Sequence, residues 1–257
     1  MRDVILLMAF VCAPALADNW TPPEDPNPQA ILQEAQADAR AHHYEIALAK
    51  HVWFHENALS IDDALSGVRL SFALDAWQKL AKKYPPALTK LKEVRDQAAN
   101  NVSEGKYVRE AFLEMRSINK VLREQSRTKD VFEALDEEHP ETAVQVFHLA
   151  QPSLVQSKAY ALIGKYLMPN EDLAEMTEAY RRGKKMADDP RFGPRHLNYV
   201  NKKFSNDAMT LVAILAVNAR TSEAEDIAAS ARAEWDDASF HAGLDKAIKG
   251  VVPHPWP

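Results

Sequence analysis

The chain has 257 residues with a formal net charge of −6, and it contains 40 Ala but only 7 Gly. Glycine makes up about 7% of an average globular protein, so this chain has few positions that adopt a positive φ freely. The shortage disfavours β-sandwiches, β-barrels and doubly wound nucleotide-binding folds, which need many tight turns or phosphate-binding loops. Residues with high helix propensity dominate instead, and the sequence predicts an all-α protein.

Residues 1–17 have the pattern of a secretory signal peptide. Arg2 precedes an apolar run, and the segment ends with the small residues Ala15 and Ala17. The run is much shorter than the roughly 20 residues that cross a bilayer as a helix, so it predicts export and not a membrane span. We expect cleavage after Ala17 and a periplasmic or secreted location. Cleavage would also remove Cys12, the only cysteine, and with it disulfide and thiolate chemistry.

Prolines divide the rest of the chain. Four of them fall in residues 18–29, so residues 18–27 predict an extended tether, and the proline-rich tail covers residues 251–257. Between them, residues 28–250 predict a helical-repeat domain in which prolines mark helix boundaries. The predicted helices cover residues 28–42, 44–59, 62–83, 86–100, 104–126, 129–137, 140–149, 152–167, 170–187, 195–203, 205–219, 222–235 and 236–249.

The predicted helix at 104–126 is amphipathic. Its apolar residues recur at alternating spacings of three and four, which places them on one face of a helix. Basic residues occupy the opposite face, so we expect this helix to cover a core. The predicted core face is Val108, Ala111, Met115, Ile118 and Leu122.

Gly67 and Gly164 fall inside predicted helices. Glycine there costs roughly 1 kcal/mol relative to alanine. Both positions therefore predict the close approach of another part of the chain.

The predicted helices form pairs with short connections, and successive pairs begin about 34 residues apart, a period typical of helical-repeat solenoids. The segment AHHYEIALAKHVWFHENAL resembles tetratricopeptide repeats. Tyr44, Glu45, Ala47 and Leu48 match the Y-E-x-A-L pattern, and Ala58 begins the later A-L pair. Ala47 and Ala58 are eleven residues apart where the family has seven, as if one helical turn were inserted.

The likeness extends to other parts of the chain. The segment LVAILAVNARTSEAEDIAASA resembles the repeat again, with Ala224 and Glu225 after Arg220. Longer stretches resemble bacterial secreted tetratricopeptide-like proteins; they are HVWFHENAL, GVRLSFALDAWQKLAKKYPPALTKLKEVRD and GVVPHPWP. The resemblance implies a right-handed α-solenoid of stacked antiparallel helix pairs, and it implies no particular activity.

A pair of histidines is the most unusual local feature. His51 and His55 are four residues apart and so share a helix face, a spacing used by paired metal ligands. The same stripe holds apolar residues such as Ala47 and Ala58. Three interpretations are open: packed core histidines, a ligand groove, or a metal site. The H-E-x-x-H protease motif is absent because Val52 follows His51.

Arg69 and Trp77 on the next predicted helix extend this candidate site, because consecutive solenoid helices pack antiparallel. With Trp53 and Asn57 they would give donors beside aromatic walls, which suits a peptide or a sugar. Packing is the alternative role for Trp77, which lies on a core-like apolar stripe.

A basic stretch covers residues 181–203. It contains eight Lys or Arg and two Asp, a local balance of +6 in an acidic chain. The sequence predicts binding of an anionic partner, such as an acidic protein or an anionic envelope component, or simply cations that offset the dipole at a helix C-terminus. The candidate binding residues here are Arg181, Arg182, Lys184, Lys185, Arg191 and Arg195.

Motifs typical of nucleotide-binding or serine-nucleophile enzymes are absent from the sequence, and no cofactor is expected. The sequence therefore favours a non-enzymatic interaction module that binds a protein, a peptide or an envelope component. The alternative is a metal-binding or hydrolytic enzyme that uses His51 and His55. A third interpretation is a structural spacer whose grooves are filled by its own proline-rich ends. Separately, we expect Trp256 to pack against the end of the solenoid as a cap. Export and acidic charge disfavour nucleic acid as a partner.

Overall fold

The computed structural model describes residues 20–255, which are mostly helical and contain no strand. The predicted all-α fold is confirmed. The predicted signal peptide and Trp256 lie outside the described residues. The helices are α1 (Pro28–Arg40), α2 (Tyr44–Ile61), α3 (Ser66–Arg69), α4 (Phe72–Ala81), α5 (Pro85–Ser103), α6 (Val108–Leu122), α7 (Gln125–Glu138), α8 (Pro140–Gln156), α9 (Tyr160–Gly164), α10 (Pro169–Ala187), α11 (Gly193–Val217), α12 (Thr221–Glu234) and α13 (Ala238–Ala247). A short 3-10 helix, Asp63–Leu65, lies between α2 and α3.

Several predicted helix boundaries are wrong. The predicted helix 62–83 is interrupted between α3 and α4, where Ser71 Oγ donates to the carbonyl oxygen of Gly67 at 2.6 Å. A serine hydroxyl that bonds to the main chain competes with regular helix. The two predicted helices 195–203 and 205–219 belong to the single helix α11, which ends at Val217. Residues 208–215 of this helix are buried except for the half-buried Met209, so packing holds it together.

Pro152, predicted to begin a helix, instead lies inside α8. A proline removes one main-chain hydrogen bond from a helix. Buried residues on both sides of it, including Ala150 and Leu154, anchor α8 in the core. Their packing outweighs the local preference to end the helix.

The first of two compact units ends at Val94. In this unit α2 packs against α1 and α4. Its buried Lys50 joins α2 to α1, because Nζ donates to carboxylate oxygens of Glu34 and Asp38, both at 2.8 Å. Burial alone would lower the pKa of Lys50, but the bonds to the two carboxylates outweigh it and raise the pKa. One apolar cluster of this unit contains Leu32, Phe54, Ala58, Leu65 and Ala73.

The second unit begins at Arg95 and contains a large apolar core. Its central helix is α11, which contacts α9, α10, α12 and α13. Helices α6, α7 and α8 also pack against one another. The predicted core face of α6 is confirmed at Ala111, Met115 and Ile118, which are buried. None of the described helices has the length and apolar character needed to cross a membrane.

The two glycines at which a close approach was predicted have opposite surroundings. A Cβ added to Gly164 would lie 2.6 Å from Cγ of Asn218, whose Nδ2 donates to the carbonyl oxygens of Tyr160 and Ile214. The predicted close approach at Gly164 is therefore confirmed. At Gly67 an added Cβ would meet no described atom within 4 Å outside its own helix, so the prediction there is wrong.

Candidate functional site

Three residues of the sequence-predicted site, His51, His55 and Trp77, lie together inside the first unit. They are 2%, 4% and 1% exposed. The His51 ring stacks on Trp77 with centroids 6.0 Å apart, and the His55 ring meets the same indole edge-on at 5.8 Å. Trp77 Nε1 donates to the carbonyl oxygen of Ala87 at 3.0 Å. These rings therefore face one another and not solvent.

The buried position of His51 determines its charge. Burial lowers the pKa of His51 to about 4, because an imidazolium is poorly stabilised away from water. Its Nε2 has no hydrogen-bond partner among the described residues. At neutral pH this side chain is consequently an uncharged ring that packs on an indole.

His55 is held by Arg69. Arg69 Nε donates to the carbonyl oxygen of His55 at 2.6 Å, and Arg69 Nη2 lies 3.0 Å from His55 Nε2. Guanidinium nitrogens only donate, so His55 Nε2 is the acceptor of this contact. That nitrogen is then engaged with a cation and does not face an open coordination site. Within residues 20–255 no group of three or more His, Cys, Asp or Glu side chains is placed to hold a metal ion.

Trp53 and Asn57 are half-buried on α2. The Trp20 ring contacts Trp53 edge-on with centroids 6.3 Å apart, and Lys50 Nζ lies 5.7 Å from the centroid of Trp20. Asn57 Nδ2 donates to the carbonyl oxygen of Trp53 at 2.9 Å. A shallow depression of about 530 Å³ beside this contact is lined in part by Trp20, Pro22 and Trp53. The predicted tether thus packs on α2 through Trp20.

Carboxylates from outside the basic stretch offset part of its charge. Arg181 donates through Nε and Nη2 to the carboxylate of Glu234 on α12. Arg182 pairs with Glu178 at 3.3 Å. Arg181 and Arg182 are therefore already paired with carboxylates of this chain.

Other cations of the stretch have local partners. Arg191 pairs with the neighbouring Asp189. Lys184 Nζ lies 5.1 Å from the ring centroid of Tyr180, a cation–π contact. Lys185 and Arg195 are exposed. Four of the six candidate cations in this stretch thus have partners within the chain, and anion binding by the stretch stays a prediction.

A groove of about 620 Å³ lies in the second unit between α8, α10 and α11. This volume is within the range of about 300–1,000 Å³ typical of ligand sites. Its lining residues recur at spacings of three and four, so each helix contributes one face. Apolar side chains form much of the lining: Val155, Met176, Tyr180, Met186, Val200 and Phe204.

Tyr180 is a buried aromatic residue of the groove. Its ring stacks on Phe204 with centroids 4.4 Å apart, and its hydroxyl donates to Oδ1 of Asn201 at 3.2 Å. Burial raises the pKa of Tyr180 to about 12, and the negative charges of Glu234 and Asp237 contribute. The phenol therefore stays protonated at neutral pH and acts as a donor and a packing surface.

Asp172 supplies a nearly buried carboxylate to the same groove. Its Oδ2 accepts a hydrogen bond from the main-chain N–H of Met168 at 3.0 Å, at the start of α10. Burial raises the pKa of Asp172 above its usual range, and the bond from Met168 opposes this effect. Glu175 and the Lys203–Asp207 ion pair also line the groove, so charged groups border an apolar interior.

His196 is a further polar group of the groove. Its ring contacts Phe192 with centroids 5.3 Å apart. Its Nε2 is buried and has no hydrogen-bond partner among the described residues. The neighbouring Tyr199 also lines the groove. An apolar interior with a few polar groups around it suits a side chain of a peptide flanked by main-chain groups.

The C-terminal segment reaches this groove. Gly250, with φ +81°, redirects the chain after α13, and Val252 packs against the core. Asn206 Nδ2 then donates to the carbonyl oxygen of His254 at 2.9 Å, and Pro255 lines the groove.

Sequence reasoning located little of this groove. Of the candidate binding residues named from the sequence, Arg182 lines it, and the others do not among the described residues. The period of 172, 176, 179 and 183 in the predicted helix 170–187 would have identified the α10 face. The lining residues of α8 recur at the same spacings, but only tertiary packing brings α8 beside α10 and α11.

No protein-family model, curated protein or solved structure matches this chain. The functional proposal therefore depends on the geometry of the groove.

Proposed function

We propose that this chain is an exported, non-enzymatic helical-repeat interaction module that binds an extended peptide segment of a partner protein. The observation that carries the proposal is the groove between α8, α10 and α11. Its interior is apolar and aromatic, and its border offers Asp172, Glu175 and His196 for hydrogen bonds to a peptide main chain. Apolar pockets with a few polar groups are the usual form of such sites.

The polar groups of the groove support binding rather than chemistry. Tyr180 is protonated and bonded to Asn201. Asp172 holds the first turn of α10, and Lys203 pairs with Asp207. Each of these groups already has a structural role.

The helix contacts support a tetratricopeptide-like solenoid. In the first unit α2 contacts α1 and α4; in the second, α6 contacts α7 and α8, and α10 contacts α11 and α12. Contacts between each helix and the next, and the next but one, are expected of stacked helix pairs. The right-handed arrangement belongs to this proposal.

Export to the periplasm or secretion is supported by the signal-peptide pattern of residues 1–17. The intact mass of the processed protein tests it: an N-terminus at Asp18 is expected, and a retained Met1 would contradict export by this route.

The binding proposal is tested with peptides selected from a random phage-displayed library against the full chain. The affinity of each enriched peptide is measured by fluorescence anisotropy for the wild type and for Ala179→Trp. Ala179 is exposed and lines the groove, so the indole would fill it without entering the core. We expect peptide affinity to fall about tenfold or more, as for the loss of a central contact.

Ala174→Trp is the matched control. Ala174 is also an exposed alanine of α10, but it does not line the groove. This variant should bind as the wild type does. Equal loss in both variants, or no enriched peptide at all, would remove the groove as a peptide site.

A further inference from the structure

Residues 251–255 of the chain itself lie at the groove. After Val252, which packs against the core, Asn206 binds the main-chain carbonyl of His254 and Pro255 becomes part of the groove lining. Residues 251–255 form neither helix nor strand. Two contacts with groove residues thus follow one another along an irregular terminal segment.

The contact made by Asn206 is of a kind that recognises peptides in general. A side-chain amide that binds a main-chain carbonyl fixes the position of an extended segment without reading its side chain. Pro253 and Pro255 restrict the backbone on either side of His254, which reduces the entropy lost when such a segment is ordered.

The residue that follows Pro255 in the sequence indicates which kind of side chain a ligand of the groove would carry. Trp256 follows Pro255, and both Trp256 and Pro257 lie outside the described residues. The groove that Pro255 lines is also lined by apolar and aromatic side chains, including Met176 and Phe204. A large aromatic side chain matches such walls best, because it has the most apolar surface to bury.

We propose that the groove selects extended segments in which proline precedes a large aromatic residue, and that the chain's own C-terminal segment competes with a partner for it. This inference rests on the proposed peptide-binding function and names the class of peptide. A partner segment that takes the same place must first displace His254 from Asn206 and Pro255 from the groove wall.

The test is competition between the terminal segment and a free copy of it. A fluorescein-labelled peptide, VVPHPWP, is titrated with the full chain and with a chain truncated after Pro253. The truncation leaves Val252 in its core contact. The truncated chain should bind the peptide at least tenfold more tightly than the full chain.

Three variants make the outcome specific. Full-length Pro255→Ser, Trp256→Ser keeps the chain length, guards against a truncated chain that fails to fold, and should bind like the truncated chain. Asn206→Ala in the truncated chain should weaken binding about three- to tenfold. Ala179→Trp in the truncated chain should abolish binding, while Ala174→Trp should not change it.

Equal affinity of the peptide for full and truncated chains, or no binding to either, would overturn the proposal. A dimer that disappears on truncation would assign the groove to the tail of a second copy and would also overturn competition within one chain. If library-selected peptides of another chemistry bind and remain sensitive to Ala179→Trp, the proposed function stands and this inference fails. If no peptide is sensitive to that substitution, both fail.

Discussion

At the scale of single residues, the buried His51 makes the stability of the first unit depend on pH. His51 stacks on Trp77 and is 2% exposed. Its pKa falls from 6.5 to about 4 on folding, because burial disfavours the charged ring. Above pH 6.5 the ring is neutral in both the folded and the unfolded states, so its contribution is fully present there. Below pH 6.5 the unfolded state binds a proton that the folded state does not, and stability is lost as the pH falls toward 4.

Because the pKa of His51 is lower in the folded than in the unfolded state, we expect His51 to reduce the stability of the protein as the pH falls. Between pH 7 and pH 5, His51 should reduce the free energy of unfolding by about 2 kcal/mol. In His51→Gln this part of the pH dependence should disappear, although the variant is less stable at pH 7 because the ring contact is lost. Urea unfolding of both proteins at the two pH values measures it.

An exposed histidine provides the comparison. His139 is exposed, so its substitution leaves the buried contact of His51 with Trp77 in place. His139→Gln therefore controls for the loss of a histidine elsewhere in the chain. A His51→Gln protein whose stability falls as steeply as that of the wild type would contradict the buried, neutral state of His51.

The sequence predicted part of this arrangement. Spacing alone placed His51 and His55 on one face, and the same stripe held apolar residues, so packing was one of the open interpretations. The expected antiparallel packing of consecutive helices also placed Arg69 and Trp77 beside this face, and both contact the histidines. Spacing carries no information on burial, however, and the structure shows a packed contact where the sequence left a ligand groove open as an interpretation.

At the scale of helices, the approach of α10 to α11 shapes the groove. Gly183 lines it, and a Cβ added there would lie 2.7 Å from Cγ2 of Val200. Val200 is β-branched and buried, so it has little freedom to move. The absence of a side chain at Gly183 therefore sets how closely these two helices pack.

Replacing Gly183 by alanine should lower stability more than replacing Gly243, another glycine inside a helix. Gly243 of α13 also faces α11, but its added Cβ would meet the end of the flexible Met209 side chain. Both substitutions to alanine gain the same helix propensity, which cancels in the comparison. Gly183→Ala should be less stable than Gly243→Ala by about 1–3 kcal/mol, the usual range for overpacking.

Chemical denaturation measures the difference between the two variants. Gly183→Ala should also weaken peptide binding, because the groove wall moves with α10. Identical unfolding midpoints for the two alanine variants would show that the spacing of α10 and α11 does not depend on Gly183.

Helices were easier to predict than the groove between them. The period of apolar residues in α6 depends on nearby residues only, and its buried face was correct at Ala111, Met115 and Ile118. Pro152 misled because its local cost is smaller than the packing of α8 in the core. The groove draws on residues from 148 to 255, and only the folded chain brings them together.

At the scale of the whole molecule, both proline-rich ends lie against helices of their own unit. Trp20 packs on α2 beside Trp53 in the first unit, and Pro255 lines the groove in the second. These contacts agree with part of the spacer interpretation, in which the ends fill grooves. They differ in depth: the contact of Trp20 borders a shallow depression, whereas Pro255 lines a groove with a buried aromatic residue, Tyr180.

The central claim is that partner peptides bind in the groove of the second unit. The most direct measurement is photo-crosslinking of a library-selected peptide that carries a benzophenone side chain, followed by mass spectrometry of the crosslinked fragments. We expect crosslinks to groove residues of α8, α10 and α11, such as Met176 and Met186. Crosslinks confined to the first unit, for example around Trp53 and Asn57, would contradict it.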